Sequence, residues 1–172
     1  MGKRSSFTRR PMDDYPTIDP RAVAALVPHL EGVRTFAEPC CGEGHLIRQL
    51  ESFGLKCAWH SDISLGVDAR TLRFANIDAI ITNPPWSRPI LHELIVHFQK
   101  SAPTWLLFDA DWKHTKQAAP FLPKCSHIVS VGRLKWMENS PSQGKDNCAW
   151  YRFEASHTAG PRFIGHPIRE AA

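Results

Sequence analysis

Four short strand candidates of this chain each stop on a polar residue at a turn: 35–37 before Glu38, 56–61 before Asp62, 77–82 before Asn83 and 104–108 before Asp109. Stretches with helical spacing lie between and around them. Asp19 and Pro20 open the first as N-cap and first helical residue, and Val23, Leu26, Val27 and Leu30 form an apolar stripe that Pro28 and Gly32 close. Leu46, Ile47 and Leu50 mark a second over 45–53, stopped by Gly54 just past the last turn. Residues 90–98 read as a third, and 113–119 as a short fourth. Strands alternating with helices of about ten residues predict an α/β fold, a parallel sheet with helices on both faces. Two more strand candidates, 128–136 and 148–153, are joined by the turn-rich stretch 139–146 and predict an antiparallel hairpin at one edge. Ligands of such sheets bind beyond the carboxyl ends of the strands, and that is where Glu38, Asp62, Asn83 and Asp109 fall.

The 172 residues suit one domain, since single cores run to roughly 100–200 residues. With 42% apolar and 22% charged residues, the composition excludes a disordered chain. No apolar run approaches the ~20 residues of a membrane span. Residues 1–14 read as a basic mobile arm lacking the apolar stretch of a secretory signal, 15–154 as the domain, and 155–172 as an irregular tail. Five cysteines without Cys-x-x-Cys spacing argue against a disulfide framework or a thiolate metal site, so no metal and a cytoplasmic location are expected. Trp105, Trp112, Trp136 and Trp150 read as core or edge packing.

Lys and Arg number 21 against 17 acids, a net charge of +4. Lys3, Arg4, Arg9 and Arg10 account for that whole excess. A second acid-free stretch, 112–137, carries Lys113, Lys116, Lys124, Arg133 and Lys135. One-sign segments in an otherwise neutral chain point either to a polyanion partner or to a solvated face.

Two turns carry chemistry. After the first strand, Gly42 and Gly44 let backbone approach a ligand closely, but Ile47 stands where the dinucleotide fingerprint needs a small residue. Asp62, eighteen residues past Gly44, has the position of a carboxylate that grips ribose hydroxyls. A nucleoside cofactor without pyrophosphate fits this pattern. After the third strand, Asn83-Pro84-Pro85-Trp86 is a stiff turn, because two prolines fix successive φ angles near −65°. The Asn83 amide oxygen and the Pro84 carbonyl are two acceptors for the two N–H bonds of an exocyclic amine, and Trp86 offers a face on which its ring can stack. No titrating base is needed for such an acceptor.

Glu38-Pro39-Cys40-Cys41-Gly42-Glu43-Gly44 together with Asn83-Pro84-Pro85-Trp86 resembles the S-adenosylmethionine-dependent amino-methyltransferases, in particular minimal, phage-type N6-adenine DNA methyltransferases. The resemblance spans roughly residues 13–154 and implies a Rossmann-like class I methyltransferase with a mostly parallel seven-stranded sheet and an antiparallel C-terminal hairpin. It implies that Tyr15, Pro16 and Thr17, with the Glu38, Pro39, Cys40, Gly42 and Gly44 loop, lie at the methionine end of S-adenosylmethionine, and that the product is S-adenosylhomocysteine. Asp62 and Ile63 would hold ribose and adenine, and Asp68 would stand near the adenine amine. Asn83, also against the cofactor, would form the catalytic turn with Pro84, Pro85 and Trp86.

The chain departs from many relatives in having only 17 residues between that turn and the next strand, too few for a separate target-recognition domain. Specificity is then expected to be short or loose, with DNA phosphates met by Lys3, Arg4, Arg9, Arg10, Lys113, Lys116, Arg133 and Lys135. RNA amines or a protein glutamine amide remain alternative acceptors, as does a catalytically silent nucleic-acid-binding module, and the chain is expected to act as a monomer or homodimer.

Overall fold

The structure, a computed structural model, describes residues 15–139 and 142–167. Lys3, Arg4, Arg9 and Arg10 lie outside the described residues. Seven strands form one sheet: β1 (Thr35–Glu38), β2 (Lys56–His60), β3 (Ala79–Thr82), β4 (Thr104–Asp109), β5 (Cys125–Arg133), β6 (Asn147–Phe153) and β7 (Arg162–Ile164). Their order is β2-β1-β3-β4-β6-β5-β7. The first four are parallel neighbours, β6 runs antiparallel between β4 and β5, and β7 pairs parallel with β5. The connection leaves β1 outward to β2 and returns to β3 on the other side, so the topological switch lies between β1 and β3, where open α/β sheets take their ligands.

Helices α1 (Arg21–Leu26) and α2 (His45–Ser52) cover one face and α3 (Arg88–Phe98) the other. The stripe Ala22, Val23 and Leu26 packs with Leu46 and Leu50 over Phe36, Ile81 and Trp150. On the opposite face Leu91, Leu94, Ile95 and Phe98 meet Ile80, Leu106 and an aromatic group of Phe108, Trp112, Tyr151 and Phe153. Phe108 and Tyr151 stack at 4.1 Å, diagonally across the β4–β6 ladder. Trp105, Trp112 and Trp150 are fully buried, as their expected packing role requires.

Several boundaries differ from those expected, each for a local reason. Pro28 converts the end of the first helix into a 3-10 turn, Val27–His29. Residues 113–119 form no α-helix but parts of two 3-10 turns, Ala110–His114 and Lys116–Ala118, with Asp109 accepting the Asp111 N–H at the first. The hairpin strand expected at 128–136 begins at Cys125 and ends at Arg133, because pairing with Asn147–Phe153 fixes its span. The tail expected to be irregular contains β7, whereas no strand lies between β2 and β3; residues 63–71 there hold two 3-10 turns. The count of seven strands is met, with the seventh at the opposite edge from β2.

Candidate functional site

Three strand ends converge on one cleft. Glu38 closes β1, Asp62 follows β2, and Asn83 follows β3; all three line one cleft. The Glu38–Gly44 loop is stitched to the end of β2. Ser61 N–H donates to the Glu38 carbonyl (3.1 Å) and Cys41 N–H to the Ser61 carbonyl (2.9 Å). The Asp62 carboxylate accepts from Gly42 N–H through one oxygen and from Ser64 N–H through the other, both at 2.9 Å. Asp62 therefore shapes the glycine loop as well as facing the cleft. Gly42 (φ 48°) and Gly44 (φ 75°) both sit in the left-handed region, which the sharp entry into α2 requires.

Glu38 is 2% exposed and its Oε2 has no hydrogen-bond partner. Burial, reinforced by the nearby Asp62 carboxylate, raises its pKa well above the ordinary value. Burial likewise pushes the Cys40 thiol up to about 12, so Cys40 is an inert lining residue. An orphaned carboxyl oxygen in a cleft wall is a place for a cationic group. Because the folded-state pKa of Glu38 is raised, its ionisation costs stability progressively as pH rises from the ordinary value of 4.5 toward the folded value. Glu38→Gln is expected to raise the melting temperature of the cofactor-free protein by an increment that grows from pH 4.5 upward. An increment independent of pH across that range contradicts a buried, titrating Glu38.

The Asn83 side chain is held at both ends. Its Nδ2 donates to the Tyr15 carbonyl (2.9 Å) and to Thr17 Oγ1 (3.1 Å), and its Oδ1 accepts from the Trp86 indole N–H (3.1 Å). The same N–H is shared with the Leu107 carbonyl (3.2 Å). One Oδ1 lone pair stays open, and the Pro84 carbonyl accepts from no described donor. Trp86 meets Trp136 edge to face at 5.8 Å, and Tyr15 meets Trp136 at 6.1 Å. Trp136 thus packs against two residues of the cleft wall, in addition to the core packing its sequence context suggests.

Of the residues expected at a cofactor, Tyr15, Pro16, Thr17, Glu38, Cys40 and Gly42 line this cleft, and so do Asp62, Ile63, Asn83, Pro84, Pro85 and Trp86. Pro39 and Gly44 support the loop without lining it. Asp68 does not line it either: its carboxylate is taken by Arg70, which also reaches Glu93. Cys41, Glu43, His45, Leu46 and Ser64 line the cleft unannounced by any sequence signal beyond adjacency to the two loops. Asp109 pairs with Arg88 at 2.5 Å, and among the described residues no group of three or more metal-ligating side chains is assembled.

Lys113 donates to the Ala110 carbonyl (2.8 Å) and lies over the Phe163 ring, while Lys116 and Arg133 are exposed and Lys135 is half-buried. These residues follow β4 and β5, which are parallel to each other, so both basic segments emerge at the same end of the sheet as the cleft. No described helix is long and apolar enough to cross a membrane.

No protein-family model matches the chain, and no curated protein matches it. Solved structures do. A dimethyladenosine transferase from Plasmodium falciparum superposes with a TM-score of 0.56 at 15% identity, over 81% of this chain. The match covers 63% of that protein's own chain. A Pyrococcus horikoshii protein assigned as an RNA methyltransferase gives 0.52 at 14% identity, over 88% of this chain and 93% of that one. A Listeria monocytogenes protein assigned as a class I S-adenosylmethionine-dependent methyltransferase gives 0.54 at 10% identity, over 87% and 64%. The fold is that of the Rossmann-like class I methyltransferases.

Proposed function

We propose that the protein transfers a methyl group from S-adenosylmethionine to the N6 amine of adenine in DNA. The observation that carries this reading is the pair of open acceptors, Asn83 Oδ1 and the Pro84 carbonyl, on a rigid turn at the switch-point cleft. An aromatic amine is a weak nucleophile because its lone pair is delocalised into the ring. Two acceptors on its two N–H bonds hold the nitrogen in place and favour the geometry in which that lone pair is localised. Neither acceptor titrates, so the proton the amine loses on methylation passes to water. The Trp86 indole supplies apolar surface beside the acceptors.

The cofactor, when bound, supplies a methyl carbon on a cationic sulfonium that the amine nitrogen takes, leaving the neutral thioether. The cleft fits a ligand bearing such charge through the unpartnered Glu38 carboxyl. Glu38, Tyr15, Pro16 and Thr17 would face its charged end, and Asp62 and Ile63 its nucleoside.

Nucleic acid as acceptor is supported by charge placement. Residues 110–167 carry eight Lys and Arg against four acids, whereas 15–109 carry eight against ten. A polyanion is therefore drawn toward the β4–β7 side of the cleft. RNA is the second reading, favoured by the similarity to the dimethyladenosine transferase and to the protein assigned as an RNA methyltransferase. Incubation with methyl-labelled cofactor and separate DNA, RNA and protein pools distinguishes these. Label in DNA is expected. Label in RNA alone selects the second reading, and label in protein alone, or in no pool, contradicts both.

A further inference from the structure

We propose that Trp86, seconded by Thr17, is a positioning residue that clamps the Asn83 amide so that its oxygen, and not its nitrogen, faces the acceptor amine. This rests on the reading of Asn83 as the amine-binding acceptor.

An amide side chain turned over about its last rotatable bond exchanges oxygen for nitrogen at nearly constant shape, and the turned form would present donors to an amine that needs acceptors. Two one-way contacts forbid that turn here. The Trp86 indole N–H can only donate, and it meets Oδ1. The Tyr15 carbonyl can only accept, and it meets Nδ2. Turning the amide would oppose donor to donor and acceptor to acceptor. Thr17 Oγ1, 4% exposed as a residue, adds a third bond to Nδ2.

Both jaws are themselves anchored. Trp86 is tied to the Leu107 carbonyl of β4, and Gln49 of α2 donates to the Thr17 carbonyl at 2.7 Å. The catalytic turn is thereby fastened to the sheet on one side and to the segment 15–19 on the other. Tryptophan is the aromatic residue that can do this at position 86. Phenylalanine has no donor, and a tyrosine hydroxyl would project beyond the ring edge where the indole N–H sits. The ring face and the N–H thus have separate tasks, contact with the acceptor and orientation of the amide.

Three variants separate clamping from packing: Trp86→Phe, which keeps an aromatic face, Thr17→Val, which keeps shape, and Thr17→Ser, which keeps the hydroxyl. Two readouts are used: kcat and acceptor KM with an oligonucleotide, and the nitrogen-15 NMR signals of the Asn83 side-chain amide in cofactor-free protein. Trp86→Phe is expected to lower kcat about tenfold and Thr17→Val several-fold, both with acceptor KM within about twofold of wild type, while Thr17→Ser recovers most of the kcat that Thr17→Val loses. The Asn83 amide pair is expected to be dispersed in wild type and Thr17→Ser, and to collapse toward free-amide positions in the other two. A wild-type enzyme that methylates while Trp86→Phe and Thr17→Val match it, or an amide pair unmoved in both, overturns the clamp and leaves the proposed function standing. A wild type that methylates nothing yet shows the dispersed, variant-sensitive amide pair overturns the proposed function and supports the clamp.

Discussion

Asn83→Ala is expected to lower turnover by about 10²–10³-fold, the range seen when one preorganised hydrogen-bonding group is removed from a reacting centre. Cofactor affinity is expected to fall no more than about fivefold. The two effects separate because the side chain has two ends. Its oxygen is the end proposed to meet the acceptor amine, while its nitrogen braces Tyr15 and Thr17, a segment that Gln49 and the Asp19 contact to Lys135 N–H also hold. Single-turnover rates with saturating cofactor and calorimetric binding report the two separately. A variant that turns over within threefold of wild type would remove Asn83 from the chemistry.

Trp150→Ala is expected to cost about 3–5 kcal/mol of folding stability, against a total of about 5–15 kcal/mol for a domain. Trp150 is fully buried on β6, between Leu107 of β4 and Val129 of β5, and its indole N–H donates to the Ala22 carbonyl of α1 at 2.8 Å. Truncation opens a cavity beneath α1 and removes that hydrogen bond. Because α1 follows directly on the segment 15–19, the loss reaches the cleft wall. Urea unfolding measures it, with a lower midpoint at unchanged slope. An unfolding free energy within about 1 kcal/mol of wild type would show that the α1 face contributes little to the fold.

What the amino-acid sequence discloses by itself is local. Glu38, Asp62 and Asn83 stand out because acids, an asparagine and paired prolines mark where a strand ends, and the structure brings all three to one cleft. The apolar stripes of α1, α2 and α3 were legible for the same reason, as spacing along one element. What escaped was long-range. Strand β7 is three residues long, and only its pairing with His127, Ile128 and Val129 makes it a strand. Trp136 meets Tyr15 and Trp86 across the chain, and Gly144 lies close against its indole. A Cβ at Gly144 would lie 2.7 Å from the indole nitrogen. Nothing in the spacing of 134–146 discloses that approach. Asp68 is drawn away from the cleft by Arg70, two residues on, a pairing that a carboxylate assigned by resemblance does not reveal. Of the contacts proposed to clamp Asn83, Trp86 lies three residues on in the same turn, whereas Tyr15 and Thr17 lie 68 and 66 positions away, and no local pattern contains those two.

The most direct measurement is the identity of the methylated nucleoside. Enzymatic digestion of DNA and RNA after incubation with the protein and S-adenosylmethionine, followed by mass analysis, is expected to yield N6-methyldeoxyadenosine from DNA, absent when Asn83→Ala replaces the wild type. A methyl group found on a ring carbon or ring nitrogen, or N6-methylated product formed equally well by the alanine variant, would contradict an amine held by the turn at residues 83–86.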